Sequence, residues 1–552
     1  MAEYTREQLE HSKPLDLNLI LSIDEGCINK VVDEVYSQLS LEPHNKNKTI
    51  NNLKCIILNL VNHYEEDKFL FTAIHLNEKK YIANRYNKNK ITKAICKLPE
   101  VLDKAGYIYF HIGIRYPHIS RISRILPLPK LLQLVKSKGV NPDLIIHRPD
   151  TETVINQKKI KVRGSKNKIK EDIPYKDNNE TRSFRKLMVD YNNLLNETHI
   201  DVVNQGKEDI RFGDNLHPVK INQNKKFMRR IFNSKDFTEG GRIYGGFWQQ
   251  LNSEWRSKII INGQPTSEVD YSGLGISTLY DKYEIPKFTG DAYDLSSVGY
   301  KYDKYNFKEL RPLLKFALMI MINSSNSGEA LLAIKDKVKK DEELPQDVNL
   351  VELIEAFTKR HDPISQFFYK GMGGIQYRMD SEICAKVISF FLYEIKRKSR
   401  MLKLFEIYKQ KALELGHKEF KGFTVPDGKG GREEITEEAI KENEPYDYGG
   451  VPVLTIHDSF VISSELEDVL KWQMEAQYKL ELGLKWNKEI PTKKEGKDNN
   501  KNILSEEENK RVDGFFNNHN KTWFSGYYKL DEEPKEFIYR NKWHYIEINK
   551  NK

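Results

Sequence analysis

Residues 268–280, Glu-Val-Asp-Tyr-Ser-Gly-Leu-Gly-Ile-Ser-Thr-Leu-Tyr, limit the folds open to this chain more than any other stretch. A β-prone run over 258–261 and 267–269 ends at an acid, Asp270. Apolar residues Leu274, Leu279 and Tyr280 then change to helical spacing. The pattern predicts a strand that delivers a carboxylate to a strand-helix junction, where the backbone carbonyl of Tyr271 can join Asp270 in binding a hard divalent cation. Acids at strand ends are also common turn formers, so the reading depends on what stands elsewhere.

Residues 451–463 read Val-Pro-Val-Leu-Thr-Ile-His-Asp-Ser-Phe-Val-Ile-Ser, two β-branched runs around His457-Asp458. They predict a hairpin with a carboxylate at its tip. Between the two acids, Arg311 and Lys315 stand four apart at the head of an apolar run, with Pro312 suited to a first helical position, so a helix is expected from Pro312 through Asn323. Met319 would follow Arg311 and Lys315 on the same face. Two aspartates with a cationic pair between them suit two-metal phosphoryl transfer: carboxylates hold the cations, and guanidinium and ammonium hold a triphosphate.

At these residues the chain resembles the A-family DNA polymerases and the related single-subunit phage-type RNA polymerases. Asp270-Tyr271-Ser272 is similar to their first metal-binding motif, Arg311 and Lys315 to the fingers-helix motif, and His457-Asp458 to the third motif. Upstream, Gly241-Arg242, Gln249-Gln250 and Arg256 resemble the segment that contacts the primer-template in the DNA enzymes. The resemblance covers roughly residues 238–463. It implies an α+β right-hand fold of palm, fingers and thumb, a template-directed nucleotidyl transferase, and two Mg2+ ions, or Mn2+ in their place, held by Asp270, Asp458 and the Tyr271 carbonyl. Primer-template of DNA or RNA and nucleoside triphosphates are the implied partners. Tyr271, Gly275, Arg311, Lys315, Met319 and Asn323 would line the nucleotide, while Arg242, Gln249, Gln250, His457 and Gln376 would touch primer or template. DNA synthesis is slightly favoured over RNA synthesis. Ser459-Phe460, Met319 and Gly275 are closer to the phage RNA enzymes, and a glycine at 275 leaves room for a ribose 2′-hydroxyl. Asn323 fits neither group. The alternatives are an RNA polymerase or primase-like enzyme of the phage type, and a nucleic-acid-binding replication or regulatory protein whose polymerase body no longer catalyses.

The rest of the chain is read more coarsely. A net charge of +9 suits a polyanionic partner. Cys27, Cys55, Cys96 and Cys384 are too scattered for a disulfide framework or zinc knuckle, which implies a reducing, cytoplasmic setting. No apolar run approaches a membrane span, so no membrane partner is expected. Residues 1–140 are expected to form a winged-helix-like nucleic-acid-binding domain, with helices around Leu53–Val61 and Ile91–Leu102, then a hairpin carrying Arg115, Arg121 and Arg124. Pro99 interrupts the second helix. The lysine-rich stretch 141–180 reads as a basic linker, and Asp150-Thr151-Glu152-Thr153 within it is rejected as an exonuclease motif because Pro149 precedes it. Residues 181–195 read as an amphipathic helix opening a polymerase body over 181–487. Glycines and aromatics around Tyr244 and Trp248 offer stacking surfaces. Residues 433–446 read as an acidic solvated insertion, and 488–552 as a polar tether with an aromatic end.

Overall fold

Both edges of one strand, Gln264–Tyr271, are occupied, and this places it at the centre of the structure. In the computed structural model, the described residues lie between Leu15 and Glu495, without 17, 19–20, 24, 40–45, 69, 115–120, 162–167, 205–208, 211–218, 222, 224, 272, 415–421, 427–431, 437–449 and 484–491. Residues 1–502 form one compact unit, and the second unit, 503–552, falls outside the described residues.

One edge of Gln264–Tyr271 pairs antiparallel with Ser459–Ser463, in the register Thr266↔Ser463 to Asp270↔Ser459. The other edge takes Ile259–Ile261 near its start and Thr492–Glu495 near its end, the latter in the register Glu268↔Glu495 to Tyr271↔Thr492. The tight connection from Ile261 to Gln264 is made by Asn262 (φ 50°) and Gly263 (φ 80°), the Asn-Gly pair that a two-residue hairpin turn favours. Ile259–Ile261 pairs onward with Ile200–Val202, and Ser459–Ser463 with Leu454–Ile456. Val269, Phe460 and Leu454 are fully buried against apolar residues of three helices, Asn179–Glu197, Gly373–Glu414 and Glu467–Leu482. The fold class is α+β.

The amphipathic helix expected over 181–195 is Asn179–Glu197, opened by a capping box in which Asn178 and Thr181 satisfy each other's backbone N–H. The Arg311 helix runs Phe307–Asn323, so it starts a turn and a half before the expected Pro312. Asn306 and Glu309 form a capping box that fixes the earlier start, and the helix absorbs the N–H that Pro312 lacks. Its inner face buries Leu310, Leu313, Leu314, Ala317, Leu318 and Met321 in a second apolar cluster.

The expected basic linker differs most. Val154–Lys161 and Lys168–Asp172 form a hairpin, and Val154–Asn156 runs parallel to Arg230–Phe232 in a four-stranded sheet. Lys158 opposes Glu171 across that hairpin, so the lysines sit on a paired strand rather than a tether. Glu152 is buried and accepts from Arg85 Nε and Arg185 Nε, both at 2.9 Å, which leaves it no role as an exonuclease ligand. Thr492–Glu495 likewise belongs to the central sheet and not to a tether. The start of the acidic insertion is a hairpin, Gly422–Pro426 with Arg432–Thr436; its remainder lies outside the described residues.

At the N-terminal end, helix Lys46–Glu66 buries Leu53, Ile56, Ile57, Leu60 and Val61. Strand Thr72–Ile74 and the hairpin Ile108–His111 with Ser123–Pro127 pack in one sheet. Pro99 interrupts nothing: it stands in the first turn of helix Leu98–Lys104, where a missing N–H costs little. That helix is only seven residues long. Arg124 is buried, with 5% of its surface exposed, and so is not a solvent-facing grip; Arg115 lies outside the described residues. No helix among the described residues is long and apolar enough to cross a membrane. All four cysteines are free thiols, and burial pushes those of Cys55 and Cys384 up to about 12.

Candidate active site

The register Asp270↔Ser459 sets the chemistry. Asp458 directly precedes Ser459, so the backbones at two acidic positions far apart in sequence lie next to each other at one end of the central sheet. The hairpin tip is a two-residue turn, His457-Asp458, closed by the pair Ile456↔Ser459. His457 has φ 61°, a left-handed conformation uncommon outside glycine, and such backbone strain collects at functional sites. Burial and the nearby Arg242 charge hold the His457 ring below its ordinary pKa, so it is neutral at pH 7. The Tyr244 ring packs edge-on against it at 5.4 Å.

Below Asp270 on the same strand face, Glu268 is buried and fully engaged. Its Oε2 accepts from Arg256 Nε at 2.9 Å and its Oε1 from Ser459 Oγ at 2.7 Å. This ties the Asp270 strand to the His457-Asp458 hairpin through side chains as well as the ladder, and makes Arg256 a supporting residue.

The long helix Gly373–Glu414 forms the opposite wall. From its first turns, Gln376 donates to the Gly275 carbonyl, and Asp380 accepts from Arg242 through both Nε and Nη2. Arg242 also lies over the Tyr377 ring at 3.9 Å. Burial works against the Arg242 charge, but the Asp380 hydrogen bonds and the Asp380 and Asp458 carboxylates outweigh it and raise its pKa. Asp380 is pushed up to about 6, first by burial; Arg242 opposes that rise and Asp458 adds to it.

Gly275 is exposed on the first turn of helix Leu274–Lys282, and a Cβ added there would meet only the Gln376 amide, at 3.9 Å. Asn323, at the end of the Arg311 helix, sits so close to Gly373 that any Cβ at 373 would collide with it. Arg311, Lys315, Met319 and Asn323 thus share the less buried face of their helix, and the Gly373 contact joins the end of that face to the wall carrying Gln376 and Asp380. Lys315 is exposed and Met319 is 44% exposed. Arg311 donates to Asp291 at 3.1 Å.

Several expected contacts are structural instead. Gln249 uses its amide on the Ile243 and Thr455 carbonyls and on the Gly245 N–H. Trp248 is fully buried and donates to the Thr455 carbonyl, so it is no stacking surface. The Tyr271 ring is buried with its hydroxyl on the Met474 carbonyl, which leaves only its backbone facing the site. Gln250 is exposed, and Ser272 lies outside the described residues. Asp380 stands four residues after Gln376 on the same helix, and of the polar residues that the sequence shows there only Gln376 was expected at the site.

Among the described residues no group of three His, Cys, Asp or Glu side chains is gathered to hold a metal. Two hard carboxylates without a protein cage suit Mg2+, which is bound through one or two carboxylates with waters and substrate phosphates completing its shell. Compared with known protein families, curated proteins and solved structures, the chain matches none.

Proposed function

We propose that this chain is a template-directed nucleotidyl transferase that adds nucleotides to the 3′-hydroxyl of a primer. The observation that carries the proposal is the pairing Asp270↔Ser459, which brings Asp270 and Asp458 together from positions 188 residues apart by subtraction of their numbers. In this reading the sheet and its hairpin are a palm, the Arg311 helix belongs to the fingers, and the N-terminal helices and hairpin are a winged-helix-like nucleic-acid-binding module.

Asp270, Asp458 and the Tyr271 carbonyl would hold two Mg2+ ions, which when bound lower the pKa of the primer hydroxyl and neutralise charge on the leaving pyrophosphate. The protein's own work is positioning. Lys315, exposed on its helix, and Arg311, once it releases Asp291, grip the triphosphate. Neutral His457, fixed by its backbone and by Tyr244, orients the primer terminus. Arg242 reaches the same terminus from the other wall. Gln376 holds the Gly275 carbonyl and so the start of the helix under the incoming sugar.

The test is primer extension with purified protein, Mg2+ and each nucleotide type. Extension of a templated primer is the expected result. Duplex binding without extension, under Mg2+ and Mn2+ alike, would overturn the enzyme reading in favour of a binding protein.

A further inference from the structure

We infer that Asp380 is a positioning residue that aims Arg242 at the primer terminus. The inference rests on the polymerase reading above and adds to it a residue that touches neither nucleotide nor metal. Arg242 belongs to strand Gly240–Tyr244 and Asp380 to the long helix Gly373–Glu414, so their contact joins two elements that flank the His457-Asp458 turn.

The guanidinium has two freedoms to lose, and each is removed by one neighbour. Tyr377, with its ring 3.9 Å from the guanidinium carbon, fixes the plane. Asp380 Oδ2, accepting from Nε at 2.9 Å and from Nη2, fixes rotation within that plane. The Nη1 protons lie off the edge that Asp380 occupies, the Tyr244 hydroxyl is a further hydrogen-bond partner of the guanidinium, and a primer terminus offers acceptors in its base O2 or N3 and its sugar oxygens that compete for these protons. Asp380 is itself buried, at 7% exposure, and its Oδ1 is sealed from solvent with no hydrogen-bond partner among the described residues. An ionised carboxylate is costly to keep in such a place. What it supplies that a neutral residue would not is a charge-assisted hold on the arginine, about twice as strong as a neutral hydrogen bond.

The test is steady-state primer extension by the full chain carrying Asp380→Asn, Asp380→Ala, Arg242→Ala, or Asp380→Ala with Arg242→Ala, with thermal melting of each. Asp380→Ala should raise KM for primer-template by about tenfold while the nucleotide KM stays within about twofold, because only the primer side loses its aim. Asp380→Asn, whose amide oxygen still accepts from the same edge but without the charge, should recover about half of that loss, leaving the primer-template KM raised about threefold and the nucleotide KM unchanged. The double variant should be no worse than Arg242→Ala alone, since residues acting as one unit are not additive. Additive losses, equal rises in both KM values, or an Asn variant as poor as Ala would overturn the inference. Should the Ala variants melt below the assay temperature, the Asp380→Asn to wild-type comparison still decides: a primer-template KM raised as much as the nucleotide KM overturns it. If wild type extends primers but Asp380→Ala leaves the primer KM unchanged, only this inference falls. If wild type extends nothing, the polymerase reading falls and takes it along.

Discussion

Sugar selection should hinge on Gly275, and the expected cost can be worked from its surroundings. In the polymerases whose first metal-binding motif residues 270–272 resemble, a bulky acid under the incoming sugar excludes a 2′-hydroxyl; here the position has no side chain, and a Cβ there would meet only the Gln376 amide. Wild type should therefore use ribonucleotides within about a hundredfold of deoxynucleotides, a gap below about 3 kcal/mol. Gly275→Glu should reverse this tolerance without harming the fold. The added Cβ meets Gln376 at ordinary contact distance, and the residue's φ is not in the left-handed region. Replacing glycine in a helix gains roughly 0.5–1 kcal/mol, and an acid in a first turn adds about 0.3–1 kcal/mol more. The variant should accordingly melt no lower than wild type. The carboxylate would take a hydrogen bond from Gln376 and stand where the ribose hydroxyl needs room, lowering ribonucleotide kcat/KM by about tenfold to a hundredfold relative to deoxynucleotide. Single-nucleotide incorporation with all eight substrates, wild type against Gly275→Glu, measures both numbers. A wild-type preference for deoxynucleotides above about ten-thousandfold would refute the reasoning, because another residue would then close the gate.

The other expectations are shorter. Asp270→Asn or Asp458→Asn should each cut extension to below about a hundredth of wild type while leaving duplex binding nearly intact, read by extension beside a binding titration; retention of more activity would remove the metal assignment. Arg311 is tied to Asp291, and both are more than about a third exposed or close to it, so that pair is worth no more than about 1 kcal/mol. Asp291→Asn should therefore lower nucleotide KM by at most about fivefold and Arg311→Ala should raise it, whereas a higher KM in Asp291→Asn would mean the pair is needed intact. His361 is buried between the Tyr280 hydroxyl and the Ala292 carbonyl, and burial lowers its pKa from 6.5 to about 4. The depressed value means the folded state favours the neutral ring, so this stability is complete above pH 6.5 and is lost as pH falls towards about 4. The loss amounts to about 3 kcal/mol at most, and chemical denaturation over that range should be less steep in pH for His361→Gln than for wild type.

The site was legible wherever chemistry and local pattern coincided. Asp270 ends a β-branched run that turns helical, and His457-Asp458 sits between two β-branched runs, so both acids could be placed on strand ends from sequence spacing alone. What spacing does not contain is the register that sets Asp270 beside Ser459, because pairing partners 189 residues apart by subtraction leave no local mark. The same limit explains Gln249 and Trp248. Both stand in a segment rich in glycine and aromatics that suits ligand contact, yet each is consumed by the Thr455 carbonyl on a strand formed two hundred residues later. The contact of Asp380 with Arg242 was hidden for the converse reason: only the folded chain brings the helical and the extended segment together.

The lysine-rich stretches teach a different lesson about charge. Residues 154–161 and 492–495 read as solvated because their side chains are polar and cationic, but a ladder is made by backbone N–H and C=O groups that every non-proline residue carries. A strand with an open edge can recruit such a stretch whatever its side chains, provided alternate residues face water and opposite charges can pair across it. The first hairpin meets the charge condition at one pair, Lys158 opposite Glu171, and by a hydrogen bond from Gln157 to Asp172, while Lys159 stands opposite Lys170 and Lys161 opposite Lys168. Thr492–Glu495 closes the edge of Gln264–Tyr271 beyond the point where Ile259–Ile261 stops. That closure bears on the site, since it pairs the backbone at Asp270 and Tyr271 from the side opposite Ser459 and leaves the end of the strand no open edge on which to shift register. A strand that must hold a carboxylate beside a partner from another strand needs that restraint, and the cationic composition of the segment supplying it is incidental to the task.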